Sequence, residues 1–572
     1  MLSANKEKLH SFFTGSSQYK IPFFQRAYVW KLENWTELWD SIIDELNEFN
    51  ASRESEHFIG TIIIKQNESE RLGSLVYDLI DGQQRLTTIC ILLRALHDAT
   101  LDEPFKKWLY NLLVYTDSYG NPLIRLLHSK VDREHFQEII LSDNNNSSLQ
   151  LGSNRVVDAY FFFKERIATD IKTDDIRNVV SIVLEKLTVI HMALSKNDDV
   201  QQIFDTINSL GVKLTTGELL KNYLFSLEGM EDKYPEYWQS VFEDDEDTVI
   251  FWEKDKTSGR VIRSTIELFL YSYLVIIKQT SIRMESLFKE FKLHLKDRKT
   301  EELQFFAKEL HDYALLYRAL PEAEQFAEIS FTEHDKRFFL VMNELEITTA
   351  FPLVLFLYKN VKSHEDRSKI LRYLESYLVR RTICKLTKKN YNNLFLSLLI
   401  DFNKNLEFSP GSFKNKLLSF TEDTNRFPDD QELKIAFNSS QLSNKYTRAV
   451  LFCFALHYLD NELTDKSSLA LNGLSVEHIM PKKWRNNWVL SPGSSEIIRD
   501  SCLLTLGNLT LVKSKLNSSM RDADWSIKKE ALRKYSTLRI TTDYLDKLEW
   551  NELTIEERAS TLYLNALEIW AR

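Results

Sequence analysis

The sequence predicts an α+β protein that is predominantly helical, and three observations predict it. Glycine and proline are scarce, 14 and 10 in 572 residues, which disfavours a turn-rich all-β chain. The first part alternates short apolar runs with helical periods, as strands and helices in one domain would. The stretch 231–430 reads mainly as helices and carries no chemical motif. Soft breaks divide the chain into segments 1–230, 231–430 and 431–572, in keeping with ~150 residues per domain.

In chain order, Tyr19–Phe24 reads as a short strand. A helix follows, with Asn34 as N-cap and Glu37 at the capping-box position. Trp35, Leu38, Trp39, Ile42, Ile43 and Leu46 form one apolar face. The Trp- and Tyr-rich stretch Tyr28–Trp39 offers aromatic faces for a flipped base, but residues of that stretch lie on the apolar helix face, which favours core packing. Phe58–Ile64 and Leu75–Ile80 read as buried strands, and Leu86–Ala99 as a helix. Punctuation falls at Ser142–Ser148, at the acidic run Glu243–Asp247, at Ser409-Pro410-Gly411 and at Pro428-Asp429-Asp430.

Composition excludes several classes. Cys90, Cys384, Cys453 and Cys502 share no CxxC spacing, so neither a secreted disulfide framework nor a zinc ribbon is expected. The opening MLSANKEKLHSFF lacks a signal-peptide pattern. The most apolar run, Leu268–Ile277, is half of a ~20-residue membrane span. A cytoplasmic protein is expected. The net charge of −10 argues against a globally basic nucleic-acid coat, while allowing a local basic site.

Asp81-Gly82-Gln83-Gln84-Arg85 sits between an apolar strand and an apolar helix. Gly82 permits a tight turn, and the following helix start and Arg85 suit phosphate. Asp81 could hold magnesium or a ribose hydroxyl, and Gln83 and Gln84 could read a base or position water. A plain polar strand-to-helix turn fits the same residues. Two further segments bear on the choice. One is Ile21-Pro22-Phe23-Phe24-Gln25-Arg26-Ala27-Tyr28-Val29-Trp30. The other runs from Phe204 to Leu214 (FDTINSLGVKL), with a capping box at Thr215 and Glu218, to Lys221-Asn222.

Together these segments resemble the N-terminal domain of GmrSD-type (type IV restriction) enzymes, which is related to the ParB/sulfiredoxin fold. The match covers an IP-x-x-QR strand, an FxGT strand, a DGQQRLTT turn and an F-x-x-IN-x-x-G segment ending in LKN, in order. Glu218 stands where the family often has Asp. The resemblance implies binding and hydrolysis of a nucleoside triphosphate, with Asp81, Gly82, Gln83, Gln84 and Arg85 at the phosphates. Gln25 and Arg26 are candidate companions, or else a surface polar pair.

The second constellation is Ser475-Val476-Glu477-His478-Ile479-Met480-Pro481, then Gly507-Asn508-Leu509-Thr510-Leu511-Val512, then Asn517. An HNH nuclease needs a neutral His to take a proton from water, an Asn to tie a hairpin together, and a third residue on the next helix to hold a divalent metal. Asn517 lies nine residues after Asn508, a spacing common to that ββα-metal motif. The segments also resemble the C-terminal domain of the same GmrSD-type family. His478 is read as general base, Asn508 as orienting residue and Asn517 as metal ligand. Glu477 is a plausible second ligand, provided the strand ends or bulges there, because neighbours on a regular strand face opposite ways. Magnesium suits oxygen ligands and phosphate.

Residues 478–534 carry eleven Lys and Arg against five Asp and Glu, a basic island in an acidic chain. Lys482, Lys483, Lys528 and Lys529 are candidate DNA contacts; a solvated basic helix face fits as well. The combined expectation is a nucleotide-regulated, magnesium-dependent endonuclease that acts on double-stranded, modified phage DNA. Two rivals stand beside it: a nucleotide-switched DNA-binding or regulatory protein, and a nuclease subunit of a larger defence complex, with homo-oligomerisation open.

Overall fold

The computed structural model describes residues 4–22, 25, 27–50, 56–66, 75–117, 119–128, 130–142, 149–152, 154–194, 215–258, 261–404, 409–460, 467–490 and 495–572. Arg26 and the segment 204–214 lie outside the described residues. The chain forms two compact units, Met1–Tyr234 and Pro235–Arg572.

The first unit is built on a six-stranded mixed sheet of β1 (Ala4–Lys8), β2 (Ser17–Lys20), β3 (His57–Gln66), β4 (Leu75–Asp81), β7 (Leu126–Leu127) and β8 (Leu187–Leu194). Its order is β1-β8-β3-β4-β2-β7. A separate hairpin joins β5 (Val114–Thr116) to β6 (Pro122–Ile124). The helices are α1 (Leu32–Asn50), α2 (Gln83–Ala99), α3 (Glu103–Leu113), α4 (Lys130–Leu141), α5 (Arg155–Asp170), α6 (Ile176–Glu185) and α7 (Thr216–Phe225). Strand alternation divides the apolar residues of β3. Ile62 and Ile64 enter the main core with α1, α2, α5 and α6, while Ile63 joins Met192 and Leu194 in a second small cluster. Every residue of α2 from Leu86 to His97 is buried, so this helix is the centre of the unit.

The predicted strands at 58–64 and 75–80 are present and slightly longer, and the first is shorter, ending at Lys20. Helix α1 starts at Leu32 rather than after Asn34, and the Asn34 side chain instead accepts from the Lys31 backbone N–H at 3.2 Å. The Thr215–Glu218 capping box forms, with both reciprocal bonds made. Trp35, Leu38, Trp39, Ile42 and Leu46 are buried in the core, so this face packs and does not stack on a base.

The second unit is mostly helical, with the hairpins β9 (Asp255–Ser258)–β10 (Val261–Ser264) and β13 (Leu474–His478)–β14 (Leu509–Lys513), and the pair β11 (Ile329–Ser330)–β12 (Ser468–Leu469). Two breaks in the sequence prove to be helix starts. Pro410 occupies the first turn of helix Pro410–Ser419 behind the Ser409 cap, and Asp429 caps Asp430–Ser439. The helices before and after residue 430 share a core. Arg337 donates to Glu375 at 3.0 Å, Trp570 Nε1 donates to the same carboxylate at 3.0 Å, and Arg380 Nε donates to the Trp570 carbonyl at 2.6 Å. The apolar run Leu268–Ile277 lies within the buried helix Thr265–Lys278. Among the described residues no helix is long and apolar enough to cross a membrane.

Candidate active site

The hairpin β13–β14 is regular: Val476 faces Leu511, Glu477 faces Thr510 and His478 faces Leu509. Asn508 sits just before β14, fully buried, and ties the far end of the hairpin together. Its Oδ1 accepts from Met480 N–H at 2.8 Å and from Trp550 Nε1 at 2.9 Å. Its Nδ2 donates to the carbonyls of Met480 at 2.8 Å and Leu503 at 2.9 Å, and its own carbonyl accepts from Ile479 N–H at 3.0 Å. The turn before it is held by Arg558, which donates to the carbonyls of Leu506, Gly507 and Leu509 at 2.8–3.0 Å. A Cβ on Gly507 would lie 2.3 Å from the Ile555 carbonyl oxygen, so only glycine lets the C-terminal helix Glu552–Ile569 approach so closely.

His478 closes β13. Its Nε2 is buried and has no hydrogen-bond partner among the described residues. Burial, with Lys482 and Lys528 nearby, lowers its pKa to about 4, so the imidazole is neutral at physiological pH. Asn517 lies on helix α8 (Ser514–Met520), which follows β14. Its Nδ2 donates to Ser475 Oγ at 3.0 Å and to the Val476 carbonyl at 2.8 Å, which orients its Oδ1 as the remaining polar atom.

Two of the candidate residues around His478 are engaged in the fold. β13 ends at His478 without a bulge, and Glu477 is the last residue before it. It is 4% exposed and accepts from Lys528 Nζ at 2.5 Å. The residue read as a second metal ligand thus carries an ion pair to a buried ammonium. Lys528 is 0% exposed on helix α9 (Trp525–Tyr535) and also donates to the His478 carbonyl at 2.8 Å, which corrects its reading as a phosphate contact. Lys529 Nζ donates to the Lys547 carbonyl at 2.9 Å, whereas Lys482 and Lys483 are exposed on the loop after His478.

In the first unit the DGQQR turn joins β4 to α2. Gly82 has φ 92 and caps α2 without a side-chain bond. A Cβ there would lie 2.8 Å from Ile62 Cγ1 and 3.0 Å from the Thr61 carbonyl oxygen. Gly60, at φ 118 in an irregular stretch of β3, leaves the space that the Arg85 guanidinium fills; a Cβ would lie 2.5 Å from Arg85 Nε. Arg85 also donates to the Thr61 carbonyl at 3.3 Å. Gln84 is already engaged, since its Oε1 accepts from Val29 N–H at 2.8 Å and its Nε2 donates to the Ala27 carbonyl at 3.2 Å. Its role is to clamp the 27–29 segment to α2, which corrects its reading as a base reader. Gln25 Nε2 donates to the Ile80 carbonyl at 3.0 Å, one residue before Asp81. Gln83 is buried and Asp81 half-buried.

The family model described as the GmrSD restriction endonuclease N-terminal domain matches residues 9–225, and that of the C-terminal domain matches 427–563. The chain belongs to the GmrSD restriction endonuclease family. No curated protein matches it. The family's two matched regions each contain one of the two constellations, and the chain is thereby a restriction-type nuclease whose substrate is DNA.

Sequence reasoning missed Trp550 and Arg558, which complete the Asn508 turn from far along the chain and carry no local signal. It missed the use of Gly60 as well, although a glycine inside the apolar run FIGTIII is a mark of close approach.

Proposed function

We propose that this family member cuts DNA by phosphodiester hydrolysis at the hairpin–helix site around His478, in an HNH-like manner. The observation that supports it best is the buried, neutral imidazole of His478, whose Nε2 has no partner among the described residues, at a hairpin end fixed by Asn508. A neutral imidazole can take a proton from water at physiological pH, as a general base must. The water oxygen then attacks phosphorus, the bond to the leaving ribose oxygen breaks, and that oxygen takes a proton from solvent. Asn508 acts by holding Ile479 and Met480, and so the strand end, in place. Lys482 and Lys483 are exposed where they can meet backbone phosphate.

The donor set fits a single hard cation such as magnesium, which keeps several waters and binds through few protein ligands plus substrate phosphate. Asn517 Oδ1 would hold it; among the described residues no group of three or more His, Cys, Asp or Glu could hold a metal alone. Such a cation, when bound, neutralises charge on the scissile phosphate.

In the first unit, Arg85 over Gly60 and the uncapped start of α2 behind Gly82 form a cradle suited to the phosphates of a nucleoside triphosphate, with Asp81 and Gln25 at its edge. Its hydrolysis would regulate cleavage. Modified phage DNA is the proposed target, in antiviral defence. The test is cleavage of modified and unmodified phage DNA with magnesium, with and without each nucleoside triphosphate, using wild type, His478→Ala and Arg85→Ala. The reading expects His478→Ala to be folded and inactive, and Arg85→Ala to lose nucleotide hydrolysis or its effect on cutting. A wild type that hydrolyses nucleotide and cuts no DNA under any condition would overturn it in favour of a regulatory protein or a partner-dependent subunit.

A further inference from the structure

The ion pair beside His478 is costly and is not needed for packing. Lys528 is 0% exposed and Glu477 is 4% exposed. Burial pushes the Glu477 carboxyl up and the Lys528 ammonium down, and each charge offsets only part of the other's shift. Well-packed apolar residues of similar volume would be as stable as a buried pair, or more so. Ile479, Met480, Trp525 and Leu532, from the same two segments, belong to an apolar core, and Asp522 is the other carboxylate that acts on the ammonium.

The geometry of the pair gives it a use. Lys528 Nζ makes two bonds from helix α9, one to the Glu477 carboxylate at 2.5 Å and one to the His478 carbonyl at 2.8 Å. Asn508 holds the next two residues, with Ile479 N–H on its carbonyl and Met480 on its side chain. The end of β13 is thus fixed by two separate clamps on three consecutive residues. Asn508 takes the residues that follow the imidazole, and Lys528 takes the carbonyl of the imidazole's own residue. An apolar residue at 528 would fill the volume but release that carbonyl. Glu477 keeps the ammonium in place and offsets its charge.

We propose that Lys528 and Glu477 are a positioning pair for His478, and that Glu477 serves through Lys528 and not as a metal ligand. The inference rests on the nuclease reading of His478. A pair that orients a reacting group through one intermediate contact commonly contributes about 10- to 100-fold in activity.

The experiment uses the full chain and four variants: Lys528→Met, Glu477→Gln, the double Glu477→Leu/Lys528→Met, and Asn517→Ala. Each is assayed for kcat and KM in DNA cleavage, for thermal melting, and for Mn2+ binding by electron paramagnetic resonance. Lys528→Met alone leaves a buried carboxylate unpaired and can fail to fold, and the double variant is included for that reason. The expected result is a double variant that melts at or above wild type, has an unchanged KM and loses about 10- to 100-fold in kcat. Glu477→Gln is expected to bind Mn2+ as wild type does, while Asn517→Ala binds it at least about tenfold more weakly. A double variant with wild-type kcat would show the pair to be structural only and overturn the proposal. So would Glu477→Gln losing Mn2+ affinity as Asn517→Ala does. A wild type that cuts no DNA would bring down the nuclease reading first and the pair with it, whereas an active wild type with an unimpaired double variant removes the pair alone.

Discussion

The turn at residues 81–85 and the hairpin that ends at His478 position their polar groups by different means. In the turn the backbone does most of the work. Gly82 and Gly60 both take positive φ, and the absent Cβ of Gly60 is the space in which the Arg85 guanidinium lies. In the hairpin the backbone is regular, and side chains from distant segments do the work. Asn508 is met by Trp550, its turn by Arg558, and the His478 carbonyl by Lys528. A site made from glycines tolerates movement of the side chains that line it. A site made from buried, mutually satisfied side chains does not, because each lost partner leaves a polar group unpaired away from water.

That contrast can be tested, beginning with the largest effect. His478→Ala should lower DNA cleavage by about three orders of magnitude, within the usual range for loss of a general base, with melting unchanged; a plasmid-nicking assay beside a thermal melt checks it. Asn508→Ala should show the opposite balance. It strips the Met480 N–H, two carbonyls and the Trp550 N–H of their partner. A loss of roughly 3 kcal/mol or more is expected, measured by urea unfolding. A variant as stable as wild type would mean that water or a repacked side chain replaces the amide.

Acid should weaken the first unit through His128. This ring is buried in the core, with Nε2 2.8 Å from Thr87 Oγ1 on α2, and burial lowers its pKa from 6.5 to about 3. The unfolded chain therefore takes up a proton near pH 6.5 that the folded chain refuses until near pH 3. Stability falls as pH drops through that window, by about 2 kcal/mol at pH 5 relative to neutral pH. His128→Gln should be less stable at pH 7 but should lose less between pH 7 and pH 5, which urea midpoints at the two pH values will show. The smallest effect belongs to Gly60→Ala. Its φ of 118 costs an alanine about 1–2 kcal/mol, and the methyl displaces the Arg85 guanidinium. Nucleotide hydrolysis should fall about tenfold, in line with loss of one charge-assisted phosphate contact, while the protein stays folded.

The corrections fall where a local pattern met a distant partner. Glu477 stands next to His478 in sequence, yet its carboxylate pairs with Lys528, fifty-one residues later. Lys528 counted toward a basic island, yet helix α9 turns it inward. Gln84 lies inside a polar motif, yet the 27–29 backbone takes both ends of its amide. The Thr215–Glu218 capping box, by contrast, needs only its own turn of helix and is read directly from the sequence.

What the sequence determined by itself is what short-range chemistry controls. That includes the helical bias from scarce glycine and proline, the apolar face of α1, the strand–turn–helix around Gly82, and the two ordered motif sets that place the chain in its family. What only the tertiary structure decided is which polar side chains remain available to a substrate and which are spent on holding the fold. Lys482 and Lys483 are exposed while Lys528 is enclosed, although all three belong to one basic stretch. Charge and spacing are properties of the chain, whereas burial and hydrogen-bond partners depend on segments far apart in sequence that pack together only in the folded state.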